Sequence, residues 1–386
     1  MKILIAFDKF KDSLTAFQAC EIAERILRAK HPSWALDLCP LSDGGDGFAE
    51  ILTRAAGGQL SKLSVVGPRD GRVEASLGLV QLDRIPTTAR ALLALPAFAE
   101  ASADFIAIVE MASASGLSLL APDRHDPWQT TTLGTGQLIR AAADLKAVAV
   151  VLGVGGSATH DLGLGALCAL GLEFCTADGK NLFSPVPADW LRLASIAGAL
   201  IPSLPPIRIA CDVNNPLFGS NGAAAVFGRQ KGLKPEDHER IESAGARVAA
   251  QLCDFCGQPR SLVERSGTGA AGGIAFGLMV AARARLIPGF PLASAWLDLD
   301  ARLAAADLVI TGEGRFDASS LGGKGPGAIA ARARQLGKPV HVFAGAANLD
   351  AKSETFLHSI TPEGMPLEQA LRETAVNLAK AIEQAF

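Results

Sequence analysis

The sequence predicts an α/β protein of two domains, one assembled from both chain ends and the other inserted between them. Three observations carry the prediction. The chain has 386 residues, enough for two cores. Both ends alternate short apolar, β-branched runs with segments of helical periodicity, as parallel βα units do. The middle is instead rich in turns and glycine loops.

In chain order, "KILIAF" is an apolar run ending at Asp8 and Lys9 and reads as a strand. Ser13 stands as candidate N-cap for "LTAFQACEIAERILRA", whose apolar residues recur at helical spacing. "WALDLCPLSDGGDG" repeats the plan, a second strand with a polar glycine loop at its carboxyl end, before the helix-like "FAEILTRAA". "VVGPRDGRVEASLGLV" is turn-rich, and the Pro-interrupted Ala/Leu stretch over 86–103 is a helical or loop insertion to which no chemistry attaches. "AVAVVLGVGGSATHDLG" runs from β-branched residues straight into glycines, and "LIPSLPPIRIA" is a Pro-rich connector leading into a strand. "ADLVITGEGRFD", "GAIAARARQLGKP", "VHVFAGA" and "LEQALRETAVNLAKAIEQAF" then alternate strand and helix to the end.

Composition narrows the partners. Hydrophobic residues make up 49% and charged residues 19%, an ordinary globular mix. The net charge of −3 offers no basic field for nucleic acid or an anionic membrane, so a small molecule is favoured. Seven cysteines include one CxxC, Cys253 to Cys256, with no second pair to complete a zinc site, and they read as reduced thiols. The longest uncharged stretch, 266–282, is shorter than the roughly 20 residues of a membrane span and holds five glycines. With no leader-like start, the expected location is the cytoplasm.

Five loops could carry chemistry: 42–47 ("SDGGDG"), 153–161 ("GVGGSATHD"), 211–223 ("CDVNNPLFGSNGA"), 267–273 ("GTGAAGG") and 311–317 ("TGEGRFD"). Glycines let backbone N–H groups converge on an anion, and carboxylates at loop ends suit a hydrated Mg²⁺. Together they point to phosphoryl transfer. "GVGGSA" also fits a loose dinucleotide pattern, and a tight αβ connection explains it equally well. No Walker A is present, because Lys324 is followed by Gly325 and Ala318 takes the place of the first glycine. Asp43 and Asp46 flank a glycine pair, where Asx turns are the plain alternative. Asp212 follows the apolar "IRIAC", at a strand's carboxyl end where α/β proteins place ligands. Of six histidines only His160 lies in such a loop.

Taken in order, the loops resemble those of the bacterial glycerate kinase family. "FDKFKDSLTA" resembles its N-terminal strand and loop, and "PLSDGGDG" its acidic glycine loop. "EMASASGL" (110–117), "TTTLGTGQLI" (130–139), "GVGGSATHDLG", "ACDVNNPLFGSNGAAAVFGRQKG", "GTGAAGG" and "TGEGRFD" complete eight collinear matches over almost the whole chain. His160, Lys9, Asp46, Arg229 and the pair Ser319–Ser320 stand where the family pattern has Asn, Ser, Glu, Pro and Gln-Thr.

The resemblance implies a flavodoxin-like (Rossmann-like) parallel-sheet domain from residues 1–60 and 295–386, and an inserted α/β domain from 61–294, with the active site in the cleft between. It implies ATP-dependent phosphorylation of D-glycerate with Mg²⁺, mainly to 2-phosphoglycerate, with no nucleic-acid or membrane partner and with homo-oligomerisation left open. The expected catalytic residues are Asp43 or Asp212 as proton acceptor, with Lys11 and Lys231 as cations. Gly155, Gly156, Ser157, Thr159, Asn214, Arg315 and Lys324 are expected to bind phosphate or substrate, and Asp161, Glu313 and Asp317 the metal. A kinase for a related hydroxy or sugar acid, a silent anion-binding relative and a nicotinamide-binding protein are the rival readings.

Overall fold

The structure is a computed structural model that describes residues 1–69, 71–95, 104–317, 320, 323, 325–347 and 355–386. Its contacts divide the chain into two units, Met1–Asp43 with Ala293–Phe386, and Gly44–Leu292.

The first unit begins with β1 (Lys2–Phe7), α1 (Ala16–Lys30) and β2 (Ala35–Leu38). Ile3 to Phe7 are wholly buried, as a parallel strand covered on both faces requires. The N-cap of α1 is Thr15, not the expected Ser13. Thr15 and Gln18 form a reciprocal capping box, while Ser13 turns back to bond the Phe10 carbonyl at 3.0 Å.

The second unit opens with α2 (Phe48–Ala55), β3 (Gln59–Val66) and β4 (Arg72–Gln81), then α3 (Thr87–Leu93), β5 (Phe105–Glu110) and α4 (Met111–Ser115). The turn-rich stretch is therefore an antiparallel hairpin, closed by Gly67 N donating to Gly71 O. There follow α5 (Leu133–Asp144), β6 (Val150–Gly153), α6 (Leu164–Ala169) and the antiparallel ribbon of β7 (Leu172–Thr176) and β8 (Leu193–Gly198). Next are β9 (Ile207–Ala210), α7 (Ala223–Phe227), α8 (His238–Phe255), α9 (Ile274–Ala282), β10 (Arg285–Ile287) and α10 (Gly289–Trp296). The main sheet runs β10-β9-β6-β5-β4-β3, parallel from β10 to β5 and antiparallel beyond. Residues 44–60, expected in the first domain, fall in this unit because α2 packs on β3, β4 and β5.

The chain returns to the first unit at Ala293, within α10, and goes on with α11 (Leu299–Ala305), β11 (Leu308–Phe316), α12 (Gly325–Gln335), β12 (Val340–Ala347), β13 (Thr355–Ser359), α13 (Leu367–Arg372) and α14 (Thr374–Ala385). The helix expected over the last twenty residues is thus two, interrupted at Glu373. The sheet is wholly parallel in the order β13-β12-β11-β1-β2. Counted within the unit, that is the flavodoxin-like 2-1-3-4-5, with its switch point between β1 and β11. One face buries Ala19, Ala23 and Leu27 of α1 with Leu378 and Ile382 of α14 against Ile3, Ile5 and Ile310.

All seven cysteines are free thiols. Among the described residues no helix is long and apolar enough to cross a membrane.

Candidate active site

In the second unit, pairing of Glu110 with Gly153 and of Gly153 with Ala210 aligns the carboxyl ends of β5, β6 and β9. The loops that leave these strands therefore share one sheet edge, where open α/β sheets bind ligands. The loop after β6 lies against residues 44–46: Gly155 N donates to Gly44 O at 2.9 Å, and a Cβ on Gly155 would stand 2.6 Å from Gly45 Cα. Gly156 has φ +71, and a Cβ there would stand 3.3 Å from an Asp46 carboxylate oxygen. Only glycine meets both demands.

The far side of the loop is pinned by the run 110–117, with Leu117 N donating to Gly156 O and Ala158 N to Ser115 O. Neither Gly156 N–H nor Ser157 N–H donates to another described residue. Lys231 is 2% exposed, and its Nζ donates to Ser157 Oγ at 2.8 Å and to Thr159 O at 2.7 Å. Burial pushes its pKa down to about 7, against the pull of the Asp161 carboxylate. Gly155, Gly156, Ser157 and Lys231 are thus brought together. Thr159 is wholly buried and leans on Ala271 O at 3.5 Å, so its hydroxyl braces the loop.

Two expected site carboxylates have other work. Asp161 is wholly buried, and its oxygens accept from Thr132 N and Oγ1 at 2.8 Å each, Gly163 N at 3.1 Å and Gly165 N at 3.2 Å. Three of these donors meet Oδ2 and one meets Oδ1, so Asp161 anchors the loop to α5 and α6. Asp212, expected as a base, spends both oxygens on the start of α10, accepting from Gly289 N at 2.8 Å and Phe290 N at 2.7 Å. Glu110 does the same for α2, accepting from Ala49 N at 3.1 Å. Asn214 is exposed, bonded through Oδ1 to Ser266 Oγ at 3.2 Å.

His160 is 2% exposed, its pKa pushed down to about 3 by burial and then by Lys231 and His238. The sign follows from the unfolded chain, which takes up a proton near 6.5 that the folded ring refuses. Stability therefore falls as pH drops from about 6.5 towards 3, by about 2 kcal/mol at pH 5. His160→Asn should shrink the loss of unfolding free energy between pH 7 and pH 5 by that amount in urea titrations. Equal losses in both proteins would contradict a neutral, buried ring.

In the first unit, the carboxyl ends of β1 and β11 carry the charged groups. Asp8, which sequence reasoning left out, follows β1 at the switch point and accepts from Lys9 N at 2.7 Å. A Cβ on Gly325 would stand 3.7 Å from its Oδ2, so the start of α12 lies beside it. Burial, and then the Asp43 and Glu313 carboxylates facing it, push its pKa up to about 7. Asp8 thus feels the negative charge of both Asp43 and Glu313. The rule that marked Asp212, an acid at a strand's carboxyl end, applies to Asp8 as well. Arg315 and Asp317 pair with each other at 2.8 Å, and Ser320 N closes the turn on Asp317 O. Lys11 is exposed on the loop after β1, whose backbone passes 3.1 Å from where a Gly314 Cβ would be. Lys324 lies outside the described residues.

A divalent cation wants oxygen ligands, and these carboxylates offer nothing else. Among the described residues no three acidic, His or Cys side chains form a cage. Mg²⁺ needs none, since it keeps waters and takes one or two carboxylates with substrate phosphates.

The chain matches the sequence model of the "Glycerate kinase family" over residues 3–386. It is 37% identical over 351 residues to the glycerate kinase of Haemophilus influenzae, covering 89% of this chain and 86% of that protein. It is 36% identical over 348 residues to the glycerate 2-kinase of Escherichia coli, covering 89% and 85%. A crystal structure of a protein assigned as glycerate kinase 2 of Salmonella typhimurium superposes with a TM-score of 0.74 at 36% identity, covering 100% of this chain and 97% of that one.

Proposed function

Because the chain belongs to the glycerate kinase family, phosphotransferases with an alcohol acceptor, we propose that it transfers the γ-phosphoryl group of ATP to D-glycerate, giving 2-phosphoglycerate and ADP. The observation that carries the reading is the loop after β6, where two adjacent backbone N–H groups and the Ser157 hydroxyl have no acceptor among the described residues. Such a convergence of donors suits an oxyanion.

In this reading Gly155 and Gly156 let that backbone approach the anion, and Ser157 donates to it. Asp43 accepts the proton of the glycerate hydroxyl, while Asp212 holds the start of α10. Lys11, Arg315 and Lys324 offset negative charge on phosphate or glycerate carboxylate. Glu313 and Asp317 would hold Mg²⁺, Asp317 being paired to Arg315, and the cation would supply positive charge to offset the phosphoryl group.

Steady-state ADP release tests the reading. Turnover with ATP and Mg²⁺ should be fastest with D-glycerate among a panel of hydroxy and sugar acids and should vanish with chelator. Faster turnover of another acid would reassign the acceptor.

A further inference from the structure

We propose that Lys231 acts on the bound oxyanion through Ser157, its ammonium fixing the Ser157 hydroxyl as a donor to that ligand. This rests on the reading of the loop after β6 as an oxyanion site. Lys231 and Ser157 are both more than nine-tenths buried. An ammonium has three donors and no acceptor, so when Lys231 Nζ gives a proton to Ser157 Oγ, the hydroxyl hydrogen must point elsewhere. No described residue accepts it. The second Lys231 bond, to Thr159 O, holds the ammonium on the loop and keeps it off the ligand.

Loss of the proton inverts the arrangement. A neutral amine has a lone pair that accepts from a hydroxyl, so Ser157 would turn its hydrogen towards Lys231 and withdraw it from the oxyanion. Burial makes that change accessible near neutral pH. The groups facing Lys231 are Asp161 and His160, and His238 of α8 acts in turn on His160. Asp161 favours the ammonium, and His160 stays neutral throughout the range in question.

Lys231 is therefore a positioning residue, and the ligand class is an oxyanion, either the nucleotide phosphates or the glycerate carboxylate. Calorimetric titration of wild type, Ser157→Ala and Ser157→Thr with ADP and, separately, D-glycerate, from pH 7.5 to 9, tests it. For the ligand seated on the loop, the wild-type Kd should rise by up to about tenfold per pH unit. Ser157→Ala should bind more weakly and with a flat profile, and Ser157→Thr, which keeps the hydroxyl, should restore the slope. None of these variants alters Lys231, so folding of a lysine variant is not at issue. A slope that persists in Ser157→Ala would place the ammonium directly on the ligand and overturn the proposal. So would a flat wild-type profile. Binding of neither compound by wild type would overturn the oxyanion reading along with it, whereas binding with an unchanged slope leaves that reading standing.

Discussion

Asp43→Asn should lower kcat by roughly 10²–10⁴-fold, the usual contribution of a positioned general base, while ADP still binds. Asn copies the shape of the carboxylate but cannot take the proton of the attacking hydroxyl. Asp212, the other carboxylate expected as base, is held by Gly289 N and Phe290 N at the start of α10, and Asp212→Asn is the matching control. Asp43 is half-buried at a loop, so the exchange should leave the melting temperature nearly unchanged, and the loss reports chemistry rather than folding. A variant that keeps kcat within about tenfold, little more than ~1.4 kcal/mol of barrier, would remove Asp43 as the base.

Asp161→Ala should cost about 3–5 kcal/mol of stability, because it leaves several buried donors without an acceptor. Four donors would lose their acceptor, and Lys231 would lose the carboxylate that favours its charge. Thr132 Oγ1 also accepts from Ala166 N at 2.9 Å, so the loss would reach α6 as well as α5. Asp161→Asn keeps one acceptor oxygen and should cost less. Urea unfolding measures both, and the Mg²⁺ concentration for half-maximal turnover in Asp161→Asn separates the two roles. An unchanged Mg²⁺ requirement with lost stability fits an anchor; a changed requirement with intact stability would make Asp161 a ligand after all.

These two carboxylates show what the sequence discloses and what it withholds. The apolar runs and helical periods at both ends mark the βα units, because both faces of a parallel sheet must be covered. Strand order is not legible, since β11 pairs with β1 from some 300 positions away. That Gly155, Gly156 and Ser157 share one tight loop was legible because glycine spacing is a local property. That Asp161 ties this loop to Thr132 was not, because Thr132 lies 29 residues upstream. The threonines of "TTTLGTGQLI" belong to the same lesson: Thr130 Oγ1 bonds Ala158 O at 3.2 Å and Thr135 Oγ1 bonds Ser115 Oγ at 2.9 Å. That motif clamps the glycine loop. Asp8 was within reach of the strand-end rule, but its position at the switch point emerges only once β11 is known to lie beside β1.

The most direct measurement is the product itself. Incubated with ATP, Mg²⁺ and D-glycerate, the protein should release ADP and give a ³¹P NMR signal of phosphate on the 2-hydroxyl. Phosphate on the 3-hydroxyl would contradict the proposed product, and absence of ADP release with D-glycerate would contradict the proposed reaction.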